Sequence, residues 1–240
     1  MNTSIVLFLL ITLVYFFFKY KFFNSSYTPI ITSIYLLLLL VVQFWTSALL
    51  LQSKCNSINY ATVFFSSIVP WFFIIGLMIA LLIVFPSWKA PFSNTFGYGL
   101  TLLGGIRTLL IKKILKSPSN ENTTYNDAIR EIYSDPSLII NEITPNNFEI
   151  FWSKMSPLFQ ENANLFKESM YKLVILKDLC SEFLWYLLAG LLAISLGYQY
   201  LLNAKCDRSV EELEKSQNEI NTTIKENEEE SNNVKTYSFD

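Results

Sequence analysis

The chain has 240 residues, 52% of them hydrophobic and 16% aromatic, with a positive mean hydropathy of +0.34. A net charge of −2 gives no footprint for a nucleic-acid partner, and the absence of histidine removes the commonest general base and metal ligand. The three cysteines, Cys55, Cys180 and Cys206, form no CxxC pair, so neither a zinc nor an iron–sulfur site is expected, and no cofactor.

A helix needs about 20 mostly apolar residues to cross the hydrocarbon core of a bilayer. Ile5 to Phe18 is shorter, but Lys19 and Lys21 can snorkel, which makes 5–23 long enough. It lacks the basic start and small-residue cleavage site of a signal peptide, so it reads as a retained anchor. Ile30–Leu51, Thr62–Phe85 and Phe183–Leu202 each meet the length without a charge. Pro70, inside the third segment, frees the carbonyl of Ser66 and predicts a kink.

Lysines sort the sides. With four spans, Lys19, Lys21, Lys89, Lys112, Lys113, Lys116, Lys172 and Lys177 share one side, against Lys54, Lys205 and Arg208 on the other. The positive-inside rule then places residues 86–182 in the cytosol and both termini across the membrane. Cys55 and Cys206 fall together on the non-cytosolic, oxidising side, where a disulfide between them is chemically possible; sequence gives no distance.

The stretch 97–111 is apolar but short, with Arg107 and the pair Gly104-Gly105 inside it. Gly97, Thr101 and Gly105 recur at i, i+4, i+8, as do Ala189, Ala193 and Gly197 in the last span. Stripes of small residues let helix backbones approach closely, which predicts that 97–111 is membrane-embedded and packs on the last span. The charge count favours a re-entrant or interfacial segment over a full crossing.

Residues 117–182 change composition and read as a small cytosolic domain of short helices. Asp135-Pro136, Thr144-Pro145 and Ser156-Pro157 each set a capping residue before a proline, predicting helices over 136–143, 145–155 and from Pro157 onward. Phe159, Ala163, Phe166, Met170 and Leu173 recur at helical spacing on that last piece, which can run into the final span. Phe148, Phe151 and Trp152 read as core. Glu142, Glu149, Glu161 and Glu168 have no nucleophile motif or histidine beside them and read as solvated helix faces, not as a catalytic set. From Asp207 the chain is acidic and Asn-rich; Val210, Leu213, Ile220 and Ile224 fit heptad positions too sparsely for a coiled coil.

The expected fold class is therefore all-α, a polytopic helical membrane protein with a small helical extramembrane domain. Its parts are an N-terminal membrane region over 1–116, the cytosolic domain over 117–182, the last transmembrane helix over 183–202 and the tail over 203–240.

"FPSWKAPFSNTFGYG", Phe85 to Gly99, and "IYSDPSLIINEITPNNFEIFW", Ile132 to Trp152, resemble segments of a family of membrane proteins encoded by nucleocytoplasmic large DNA viruses. The two patches cover about a third of the chain. The resemblance implies a virion membrane or capsid-associated structural protein without catalytic residues. It would sit in the internal membrane of the virion or in host endomembranes, and contact a capsid or coat layer. From the residues themselves, Trp88, Phe92, Phe96 and Tyr98 suit the aromatic belt at the membrane interface, and Pro91 and Asn94 suit a turn there. With Gly97 they make the expected interface motif. A transporter or channel subunit is the alternative, opposed by the lack of charge in the three clear spans. An enzyme acting on lipid ranks third, for want of a catalytic constellation. Apart from the bilayer, the partner and oligomeric state are open.

Overall fold

A computed structural model describes residues 2–119, 124–206 and 217–225. Four helices are long and apolar enough to cross a membrane. They are α1 (Asn2–Lys21), α2 (Thr28–Cys55), α3 (Tyr60–Val84) and the C-terminal helix, Lys167–Asn203. Pro29 occupies the first turn of α2, where its missing N–H costs nothing, and the Asn59 side chain caps α3 by accepting from the Thr62 amide.

Between α3 and the last helix the chain folds into short pieces. A 3-10 turn (Pro86–Lys89), α4 (Ala90–Phe92) and a π turn (Ser93–Gly97) lead into α5 (Tyr98–Leu103) and α6 (Ile106–Leu109). A second π turn, Leu110–Ile114, follows, and then α7 (Thr124–Ser134), α8 (Ser137–Ile140) and α9 (Phe148–Met155). The last long helix, α10, is Lys167–Asn203, 37 residues without a break. Among the described residues the only β feature is an isolated antiparallel bridge, Leu115 to Phe159.

The polypeptide therefore belongs to the all-α class and is an integral membrane protein by the length and apolarity of its helices. Its outer surface is apolar, unlike that of a water-soluble bundle: Phe17, Trp45, Phe72, Phe73 and Ile83 all point outward. The interior of the four-helix bundle combines aliphatic side chains such as Leu39, Ile75 and Ile194 with aromatic and hydroxyl groups. Tyr15 stacks on Tyr35 with centroids 4.0 Å apart, and Tyr186 lies against both. Thr12 and Tyr35 share a hydrogen bond of 3.1 Å, and Tyr15 and Thr32 one of 3.0 Å.

A second core lies beside the first half of α10. It gathers Ile106, Leu110, Ile114, Leu115, Ile129, Ile140, Ile143, Phe148 and Trp152 against Met170 and Val174. Here the chain departs from the expectations in three ways. The helix expected from Pro157 is absent: Phe159 is extended and pairs with Leu115, Gln160 donates to the Ile114 carbonyl at 2.8 Å, and α10 starts only at Lys167. Phe159, Ala163 and Met170 are still buried together, but by a folded-back loop and not by one helical face. The α9 helix starts at Phe148, later than Pro145, because Thr144 and Asn147 cap one another reciprocally across that turn. Asp135 does cap, accepting from the Ser137 amide at 3.0 Å. Finally, this core reaches back to Ile106, so the second packed unit, expected on the water side, begins well before residue 117.

The stretch 97–111 holds no helix long enough to cross a membrane, only α5 and α6 of 6 and 4 residues. Gly97 abuts the Lys177 backbone and Gly104 the Leu173 side chain, so the segment runs along the first half of α10. That part carries Lys167, Glu168, Lys172, Lys177, Asp178 and Glu182, and lies outside the apolar stretch 183–202. Gly105 takes φ +84°, a left-handed conformation that breaks the helix between α5 and α6, and a side chain there would meet nothing. The matching stripe on α10 faces elsewhere: a methyl on Gly197 would strike the Ser66 carbonyl of α3, and Ala189 and Ala193 are buried in the bundle core. The two stripes therefore do not pair. Gly97 and Gly197 each serve a close approach, against different neighbours, whereas Gly105 serves none.

Cys55 and Cys206 are joined in a disulfide with Cα atoms 5.3 Å apart, tying the end of α2 to the end of α10. Beside it Lys54 donates to the carbonyls of Leu201, Leu202 and Ala204 at 3.0, 2.6 and 2.8 Å, capping the C-terminus of α10 with a cation. Val210 and Leu213 of the expected heptads lie outside the described residues; 217–225 is helical, with Ile220 and Ile224 exposed.

Candidate functional site

The opposite end of the bundle, rich in lysine, is where the expected interface motif falls. Pro86 and Pro91 each occupy the first turn of a short helical piece, so the chain continues helically and does not turn at Pro91 and Asn94 as expected. Helical continuation lays the motif flat across α10. Trp88 stacks on Trp185 with centroids 6.2 Å apart, Trp185 donates its indole N–H to the Trp88 carbonyl at 3.0 Å, and Phe92 meets Trp185 edge-on at 5.3 Å. Trp88 and Phe96 keep outward faces, 44% and 62% exposed, as an interface belt requires. Gly97 is buried because the α10 backbone passes directly over it, Thr101 is fully buried one turn on, and Tyr98 packs at the edge of the water-side core.

Under this aromatic bracket four charges meet. Lys19 from the end of α1 pairs with Glu182, and Lys89 from the bracket pairs with Asp178 at 2.8 Å and with Glu182 at 3.7 Å. All four side chains are largely buried. Asp178 and Glu182 are one helical turn apart, so they present two carboxylates on one face, each to a lysine from a different element. The cluster thus bolts α1, the bracket and α10 together where the dielectric falls between water and lipid. It borders a cavity of about 410 Å³ whose polar lining includes Asn94 and Asn141. The Asn141 side-chain oxygen is buried without a partner.

Immediately before Asp178, Lys177 is 1% exposed and donates to the carbonyls of Ile140 and Asn141 at 2.6 and 3.2 Å. It caps the end of α8 from across the fold. Burial pushes its ammonium down to about 8, with Asp178 and Glu142 opposing that shift.

The ion pairs were not anticipated from sequence, where Lys19 and Lys89 served only as markers of side. The available signal was the i, i+4 acid pair Asp178 and Glu182, placed immediately before an apolar span and level with both lysines. Nothing in the sequence marks Lys177 as buried.

No protein-family model, curated protein or solved structure matches the chain.

Proposed function

We propose that the protein is a non-catalytic membrane scaffold that holds its helical water-side unit in a fixed pose on the cytosolic face, for contact with a protein layer. The carrying observation is the continuity of α10: one 37-residue helix is both the last span and the spine of the unit, so no flexible linker separates them. The bracket and the four-charge cluster add two further attachments at the junction. Two arguments support the cytosolic placement. The unit shares its side with most lysines near the span ends, and the disulfide at the other end requires an oxidising compartment. The resemblance of 85–99 and 132–152 to proteins of nucleocytoplasmic large DNA viruses supports taking the membrane as that of a virion and the layer as capsid or coat. Lysine-directed crosslinking of purified membranes or virions, read by mass spectrometry, tests this. Crosslinks from Lys112, Lys113 or Lys154 to one partner protein are expected; crosslinks confined to the chain itself would overturn the reading.

A second reading, a transporter or channel subunit, is favoured by the polar groups stacked through the bundle: Gln43 with Ser4, Thr12 with Tyr35, Tyr15 with Thr32, and Lys19 with Glu182. Against it, Phe8 seats its ring on Gly190 and meets Trp71 edge-on at 5.5 Å, closing the column between its two uppermost polar pairs. Ion or solute flux in proteoliposomes above that of empty vesicles would favour this reading over the scaffold.

A further inference from the structure

At the disulfide end, α1, α2, α3 and α10 leave between them a cavity of about 280 Å³, lined among others by Ser4, Gln43, Ser66, Ser67, Trp71 and Tyr198. It extends from Ser53, near the end of α2, to Gln43 ten positions earlier, which is about 15 Å along a helix. Trp71 and Ala193 also line it, and the contact of Trp71 with Phe8 backs the wall there. Gln43 is 3% exposed, and its amide accepts from the Ser4 hydroxyl at 2.6 Å while its Nε2 is buried without a partner. Because the Ser4 hydroxyl can serve either end of an amide, one half of Gln43 stays unsatisfied in either orientation. At hydrocarbon depth no lipid tail can supply the missing bond.

Elsewhere the lining offers acceptors. The hydroxyls of Ser66 and Ser67 both donate to the Val63 carbonyl, at 2.9 and 2.6 Å, which leaves their oxygens free to accept. The Ser66 carbonyl, freed of its usual helical donor by Pro70, is instead pressed against Gly197, so the hydroxyls are the acceptors on offer. No charged side chain lines the cavity. An unsatisfied donor on a lining residue, hydroxyl acceptors elsewhere in the lining and no charged side chain suit a neutral group that both accepts and donates, reached by a small turn of the Gln43 amide.

We propose that this cavity is a binding site for an uncharged, hydroxyl-bearing molecule whose oxygen accepts from Gln43 Nε2. The volume is at the lower edge of small-molecule sites, so it takes a polar head and not a whole lipid. A glycerol hydroxyl supplies this chemistry from either of two sources: the head of a diacylglycerol in the bilayer, or free glycerol from the aqueous side.

Native mass spectrometry of the full, disulfide-bonded chain released from phosphatidylcholine nanodiscs tests the site, with dioctanoylglycerol as probe and its O-methyl ether as control. One equivalent of dioctanoylglycerol is expected, bound at least tenfold above the ether. In Gln43→Leu and in Gln43→Met, which keeps the side-chain length, that preference should vanish while the melting temperature holds or rises, since each removes an unsatisfied buried group. Excess glycerol in the buffer should displace the probe if the aqueous source is also admitted; retention of the probe would assign the site to the lipid alone. Equal binding of alcohol and ether, equal binding by wild type and both variants, or no adduct of either probe would overturn the proposal and leave a cavity holding water only.

Discussion

The two halves of α10 belong to one helix, and they differ in what chiefly packs against them. Within 183–202, neighbours are admitted by what the helix lacks: Gly190 receives the Phe8 ring and Gly197 the Ser66 carbonyl, while Leu188, Leu192 and Leu196 point outward. Within 167–182, neighbours are held by what the helix offers, with Met170 and Val174 fully buried among isoleucines and aromatics. Lipid tails are as apolar as leucine, so burying a large side chain in the membrane half gains little, and close backbone approach supplies the dispersion contacts instead. In the water half the hydrophobic effect operates, and volume is what stabilises. Glu182 and Asp178 sit where the two halves meet, and there charge does the joining.

Five substitutions test this division. The largest effect is expected at the boundary. Glu182→Gln strands Lys19 in a largely buried site and should cost about 4 kcal/mol, as removing one partner of a buried pair does. Reversible unfolding in mixed detergent micelles measures it; a loss under 1 kcal/mol would show the pair to be effectively solvated.

Next come two substitutions of opposite sense. Gly197→Leu in the membrane half and Met170→Ala in the water half should each destabilise by about 3 kcal/mol, one by overpacking and one by cavity formation. Should Gly197→Leu prove neutral in the same unfolding assay, the close-approach account of the membrane half fails.

A smaller effect follows from Lys177. Its folded-state value, about 8, lies below the ordinary 10.5, so below pH 8 it is protonated in both states and the cost of burying its charge is fully present. Between pH 8 and 10.5 the folded state releases the proton first, and stability should rise with pH, by about 1.5 kcal/mol from pH 8 to 9.5. Melting temperature against pH reads this, and Lys177→Met should flatten the rise. The smallest effect is expected at Gly105. Its left-handed backbone makes Gly105→Ala cost about 1 kcal/mol through strain alone, since the space around it is open. A cost similar to that of Gly197→Leu would mean that 97–111 packs more tightly than its glycine implies.

What the sequence made legible follows the same division. The spans could be read because hydrocarbon imposes a length and excludes charge, and nothing distant has to be known to apply either test. The packing of Phe92 on Trp185 and of Tyr98 on the second core was not legible, because both depend on partners distant in the chain. Nor was the pairing of small-residue stripes, since spacing identifies a face able to come close without naming its partner; Gly97 found Lys177 and Gly197 found Ser66. The helix expected from Pro157 failed because capping grammar is local, whereas the Leu115 bridge that holds Phe159 extended joins residues far apart in the chain. The ion cluster needed three separate elements at one height, which no single window contains.

The Cys55–Cys206 bond bears on the connectivity of the molecule as well as its packing. The two cysteines are 151 residues apart, and the ring they close encloses α3, the bracket and the whole water-side unit. A single backbone cut anywhere inside that ring leaves one covalent molecule, with α1 and α2 still joined to α10. The unit therefore cannot be shed by one proteolytic event, and separation of its fragments requires a reductant as well as a protease.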